Sequence, residues 1–325
     1  LRLSDNKSTI ALNNKGSALQ DLGYAYMKIR DKENALKMNK EAVDTYNRAL
    51  ELTENRFIEA LNNKGIALQV IGEIYMNDGL YEESIRSLKE SIRSFDMALE
   101  LTNNQHIESW NNRGIALEIL GELYYNRDDI NNSIYYLKEA IKSFDESLKL
   151  TSNRNLNAWN NKGIALDMLS QVQIRMSNYD EAIETMLKAI EAYDEALRLT
   201  DRKYARAWYN KGSSLQVLGE LFLKLADKRK AMNSLKEAVK SFEMALNLTN
   251  NKNIDAWNNR GIVLYLIGKL LLQNKEKKYA REAFCESLKS FNNVLELGGK
   301  NWEELASKNI EVVETMLQNN EFTCS

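Results

Sequence analysis

The chain has 325 residues, a net charge of −2, no proline, two cysteines and one histidine. That excludes the basic stripe of a nucleic-acid binder, a disulfide framework or cysteine zinc site, and a catalytic set built on histidine. Having no proline over this length points to helices, whose interiors reject it, rather than to a turn-rich β protein.

In chain order, Leu1-Arg2-Leu3-Ser4 aligns with Leu50-Glu51-Leu52-Thr53 and reads as the stump of a preceding helix, with Leu1 and Leu3 at an open end. Six units follow without insertion or deletion, at about 5–53, 54–102, 103–151, 152–200, 201–249 and 250–298. Their glycines fall at 16, 65, 114, 163, 212 and 261, each step being 49 residues. Four residues before each lies Leu12, Leu61, Trp110, Trp159, Trp208 or Trp257. Seven residues after each lies Gly23, Gly72, Gly121, Ser170, Gly219 or Gly268. A closing threonine keeps step at Thr53, Thr102, Thr151, Thr200 and Thr249. Repeats escape the size limit of a single core, because each unit needs only its neighbours for burial.

Each unit predicts two helices. In the first, such as residues 107–126, Trp110, Leu117, Leu120, Leu123 and Tyr124 recur at helical spacing. A polar break follows, such as Asn77-Asp78-Gly79 or Asn126-Arg127-Asp128-Asp129. In the second helix, such as residues 81–102, Ile85, Leu88, Ile92, Phe95 and Leu99 share a face, with small Ser84, Ser91 and Ala98 allowing close approach. There Glu83-Ser84-Ile85-Arg86-Ser87-Leu88 is echoed one heptad later by Glu90-Ser91-Ile92-Arg93-Ser94-Phe95, which keeps the buried stripe in phase to within ~20°. The helices should reach roughly 20 residues, or about 30 Å. Asn-rich turns such as Thr102-Asn103-Asn104 replace proline as terminators, since asparagine tolerates left-handed backbone. The most apolar stretch, Ile262 to Leu272, is too short for a membrane span and reads as a buried helix. After the sixth unit Gly298-Gly299 breaks the pattern, and Asn301 with Glu304 marks a helix start. Trp302, Leu305, Ala306, Val313, Met316 and Leu317 then line one face of a capping helix within 299–325. Cys285 and Cys324 read either as a reduced pair or as one bond tying the tail to the last repeat.

The Trp, the glycine four residues on, the second glycine and the later Ala-x-x-Phe-x-x-Ala-type helix together resemble the tetratricopeptide repeat, over residues 1 to about 298. The segment AWNNKGIAL at 158–166 looks like the first helix of many archaeal members. The departure is length, 49 residues where the family unit has about 34. The resemblance implies an all-α, right-handed α-solenoid of six helix-turn-helix repeats plus a C-terminal cap. It also implies that the first helix of each pair lines a concave groove. There Asn14, Asn63, Asn112, Asn161, Asn210 and Asn259 resemble the ladder that holds a peptide backbone in several members. An amide suits that task, because it both donates and accepts.

The preceding Asn13, Asn62, Asn111, Asn160 and Asn258, with Tyr209 breaking the series, should lie near the same groove. Lys15, Lys64, Arg113, Lys162, Lys211 and Arg260 follow, and are expected to pair with Asp96, Asp145 and Asp194 of facing helices rather than to grip acidic ligands. The tryptophans read as packing between helix pairs, His106 as a surface residue, and acids such as Glu82 and Glu83 as a solvated face. No metal site, cofactor or catalytic constellation is expected.

The leading expectation is therefore a non-catalytic scaffold whose groove binds an extended peptide or a partner helix, with no nucleic acid and no membrane insertion. A second is end-to-end stacking of copies into a fibre through Leu1 and Leu3 at one end and Trp302 and Leu305 at the other. A third is the repeat domain of a longer protein. The compartment follows the choice: cytoplasmic by default, secreted for a fibre.

Overall fold

The structure, a computed structural model, describes residues 3–324, which form thirteen α-helices and no strand. The chain divides into two compact units, Leu1–Met176 and Ser177–Ser325. The first holds α1 (Leu3–Lys28), α2 (Lys32–Glu51), α3 (Ile58–Asn77), α4 (Tyr81–Leu101), α5 (Ile107–Asn126), α6 (Ile130–Leu150) and α7 (Leu156–Arg175). The second holds α8 (Tyr179–Arg198), α9 (Ala205–Lys224), α10 (Lys228–Leu248), α11 (Ile254–Gln273), α12 (Lys277–Gly298) and α13 (Lys300–Asn319).

The repeated glycines are sockets for the second helix. A Cβ on Gly65 would meet the Phe95 ring at 2.5 Å, and one on Gly114 would meet Phe144 at 2.5 Å. In the second unit Gly212 and Gly261 stand against Phe242 and Phe291 at 2.8 and 2.7 Å. One helical stretch on, Gly72 and Gly121 receive Leu88 and Leu137 at 2.7 and 2.6 Å. Serines stitch the same seam: Ser91 Oγ donates to the Gly65 carbonyl and Ser84 Oγ to that of Gly72, both at 2.7 Å. Phe95, Phe144 and Phe242 are fully buried in consequence, each ring contributing ~2 kcal/mol by leaving water.

The junctions between repeats turn through two consecutive left-handed residues, such as Asn103 and Asn104 at φ 49° and 62°. The closing threonine ends the helix before them. Thr102 Oγ1 donates to the Ala98 and Leu99 carbonyls, the latter also accepting from the Asn104 N–H at 2.7 Å. Tryptophan then clamps the turn, its indole N–H donating to the carbonyl of Asn104 (Trp110, 3.0 Å) or Asn153 (Trp159, 3.1 Å). Both rings are half-buried, whereas Trp208 at the same place in its repeat is buried, 7 % exposed.

Within each unit the odd-numbered helices of successive pairs touch: α1 with α3, α3 with α5, α5 with α7, and α9 with α11. The even-numbered ones are held further apart, which bends each stack toward its odd-numbered helices and makes them its inner face.

The ends differ from the sequence reading. α1 runs unbroken from Leu3, so the segment read as the stump of an earlier helix continues straight into the first repeat. Leu1 lies outside the described residues, as does the side chain of Leu3. At the other end α13 starts at Lys300, one residue before the expected start, because Gly299 turns the chain at φ 57°, ψ −161°, a conformation glycine alone takes readily. Ala306, Val313 and Leu317 form its buried stripe, while Leu305 points outward, 44 % exposed. Trp302 packs back over Gly298. Cys285 of α12 is bonded to Cys324 beyond α13, with Cα atoms 5.5 Å apart. Among the described residues no helix is long and apolar enough to cross a membrane.

Candidate binding surface

The asparagine series lies on the inner faces, and its amides reach across repeats. Asn63 Nδ2 donates to Asn13 Oδ1 at 3.3 Å, Asn112 to Asn62 at 3.2 Å, and Asn161 to Asn111 at 3.4 Å. In the second unit Asn259 Nδ2 donates to the Tyr209 hydroxyl at 3.3 Å, so the residue that breaks the series in sequence keeps the acceptor in place. Asn309 of α13, which the repeat register did not single out, extends the pattern by donating to Asn258 Oδ1 at 3.3 Å. These bonds use one of each amide's two N–H groups, leaving further capacity toward a ligand. Asn14 is exposed, and Asn210 is half-buried.

The cations that follow Asn63, Asn112, Asn161, Asn210 and Asn259 face the other way. Arg113 pairs with Asp96 at 2.7 Å, Lys162 with Asp145 at 2.6 Å and Lys211 with Asp194 at 2.6 Å, as their placement in sequence suggests. Arg260 bonds Glu243 and Glu286 at 3.0 and 3.1 Å. Lys64 finds Asn47 where the others have an acid, and turns to Glu90 at 3.0 Å instead. Arg113 and Lys162 also lie over the Trp110 and Trp159 rings, at 5.7 and 5.2 Å. This ladder is therefore structural.

Beyond the asparagines, residues at i, i+3, i+4 and i+7 continue the inner stripe. In the first unit these are Ser17, Gln20, Asp21 and Tyr24 on α1, and Ile66, Gln69, Val70 and Glu73 on α3. α5 adds Ile115, Glu118, Ile119 and Glu122, and α7 adds Ile164, Asp167, Met168 and Gln171. α1 and α3 enclose an open groove of about 550 Å³, with Asp21, Tyr24, Val70 and Glu73 on its walls. Tyr24 is 63 % exposed at its rim. Burial pushes the Glu73 carboxyl above the ordinary range, against a bond of 2.9 Å from Gln69 Nε2 that favours its charge. Glu122 is raised likewise by burial, and further by the charge of Glu73. No ion pair holds either carboxylate among the described residues. These acids were hidden in the sequence among the many on solvated faces; their common place in the 49-residue register was the signal available.

The second unit has an inner groove of about 490 Å³ between α9, α11 and α13, lined by Glu220, Leu223, Ile262, Tyr265, Leu266 and Val312 among others. Tyr46 and Tyr209, below the inner faces, have their phenols raised chiefly by burial, Tyr46 to about 12. The Tyr46 hydroxyl donates to Gln20 Oε1. His106 caps α5, its Nδ1 accepting from the Ser109 N–H at 3.2 Å. No group of acids, histidines and cysteines among the described residues is placed to hold a metal ion.

The tetratricopeptide repeat profile matches residues 66–94 and 157–197. No curated protein matches the chain in sequence. Among solved structures, the S. pombe nuclear import adaptor Nro1 is similar with a TM-score of 0.65 at 11 % identity, covering 95 % of this chain and 99 % of its own. BtubC from P. vanneervenii is similar with a TM-score of 0.51 at 12 % identity, covering 78 % and 89 % respectively. At these identities the likeness is one of fold.

Proposed function

For a chain that belongs to the tetratricopeptide repeat family, we propose a non-catalytic protein-interaction scaffold whose inner face binds an extended peptide or a partner helix. Proteins of this family bind protein partners, and the S. pombe structure of like fold is a nuclear import adaptor. The observation that carries the finer reading is the groove between α1 and α3, where apolar Ile66 and Val70 and exposed Tyr24 line one open space. Amide contacts to a peptide backbone contribute only about 0.5–1.5 kcal/mol each, so affinity depends on several in register. Replacing Asn112 and Asn161 together by alanine is expected to weaken peptide binding severalfold, measured by fluorescence anisotropy. Because the same amides brace neighbouring repeats, the melting temperature should fall as well. Unchanged peptide affinity would remove the ladder.

End-to-end assembly is the second reading, motivated by Leu305, which is exposed on α13. Light scattering against concentration, with electron microscopy, tests it: rods that dissolve on Leu305→Asp support stacking, and a stable monomer removes it.

A further inference from the structure

We propose that the inner face of the first unit is an acidic docking strip for a basic peptide segment of a partner protein, with lysine or arginine recurring at about every third residue between apolar ones. The proposal deepens the groove reading and rests on it.

The stripe running across α1, α3, α5 and α7 carries Asp21, Glu73, Glu118, Glu122 and Asp167, and no lysine or arginine. The equivalent stripe on α9 and α11 has Glu220 and Lys269, which balance. The odd-numbered helices do not lack cations: Lys64, Arg113 and Lys162 are held by acids of the even-numbered helices, and Lys28 lies over the Tyr24 ring at 4.9 Å, at one end of the strip. Negative charge therefore collects on the inner side of the first unit by arrangement rather than composition.

Glu73 and Glu122 sit in neighbouring helices, half-buried, without an ion pair to offset their lost hydration. A carboxylate in such a place gains from an arriving cation that desolvates it no further and supplies a charge-assisted hydrogen bond. Ile66, Val70, Ile115 and Ile119 lie between the acids and offer apolar contact of the kind a peptide side chain fills. Packed helices stand about 8–10 Å apart, and three residues of extended chain span about 10 Å. A basic residue at every third position would thus meet one helix after another.

The test is to pan random peptides displayed on phage against the full chain, then measure synthetic copies of the recovered sequences by anisotropy. The expected peptides are enriched in lysine and arginine at that spacing and depleted in acids. Their affinity should fall about tenfold on Glu73→Gln with Glu122→Gln, and stay unchanged on Glu83→Gln of the outer α4. Circular dichroism of the double variant checks that it is folded. Acidic or neutral peptides that respond to the Asn112→Ala and Asn161→Ala pair, but not to the glutamine pair, would overturn the strip and keep the groove. Basic peptides weakened equally by Glu83→Gln would reveal unspecific attraction and overturn it. Spermine displacing the peptides completely would reduce the strip to a polyamine site. Failure to recover any peptide would sink both readings.

Discussion

The inner faces of the two units share one register and differ in chemistry. Residues 69 and 73 on α3, 118 and 122 on α5, and 216 and 220 on α9 are glutamine or glutamate, whereas 265 and 269 on α11 of the second unit are tyrosine and lysine. Under both lie the same sockets, with Phe95 and Phe144 seated on glycine in one unit and Phe242 and Phe291 in the other. The glycine-aromatic seam spaces the helices, and any side chain on the inner stripe is compatible with that spacing. The seam and the inner stripe are adjacent faces of the same helix, so the stripe can vary while the sockets stay the same.

The units also end differently, and the largest expected effect lies there. Only the second carries a covalent staple, closing a sequence separation of 39 residues. Reducing it, or replacing Cys324 by serine, should cost about 2–4 kcal/mol. Hydrogen exchange should locate the loss in α12 and α13 and leave α1 to α7 untouched. Protection lost evenly through both units would contradict a local clasp.

Next comes the shared seam. Gly114→Leu and Gly212→Leu force a side chain into Phe144 and Phe242 respectively, and each is expected to destabilise by about 1–3 kcal/mol in denaturant titrations. A penalty in one unit and none in the other would end the claim that the two are built alike.

The smallest effect sharpens the contrast at the acids. Burial raises Glu73 in the folded state, so the native chain holds its proton to higher pH than the unfolded chain. Stability should therefore increase as pH falls from neutral through the raised folded value, and the gain is complete below the unfolded one. Glu73→Gln makes that gain permanent: the melting temperature should rise by roughly 2 °C at pH 7 and match the wild type near pH 4. A variant less stable at neutral pH would show that the carboxylate is paired after all. A residue that lowers stability while facing a groove fits a recognition role better than a structural one.

Much of this was legible beforehand. Helices at 107–126 and from 81, the left-handed asparagine turns, and the pairing of Arg113, Lys162 and Lys211 with acids follow from periodicity and a register repeated six times. His106 looked like a surface residue because a cap differs from its surroundings only by the backbone N–H it accepts. Asn309 escaped notice because it lies one residue outside the 49-residue step.

What the sequence alone determined is everything set by neighbours along one helix or by the constant step between helices: element type, length, socket and plug. The tertiary structure decided which atoms separated by about fifty residues meet, as when Asn112 finds Asn62, Glu73 lies beside Glu122, and Cys285 reaches Cys324. The physical reason is that helical periodicity orients a side chain about its own axis, while its charge state and partners depend on distances across helices that only packing sets.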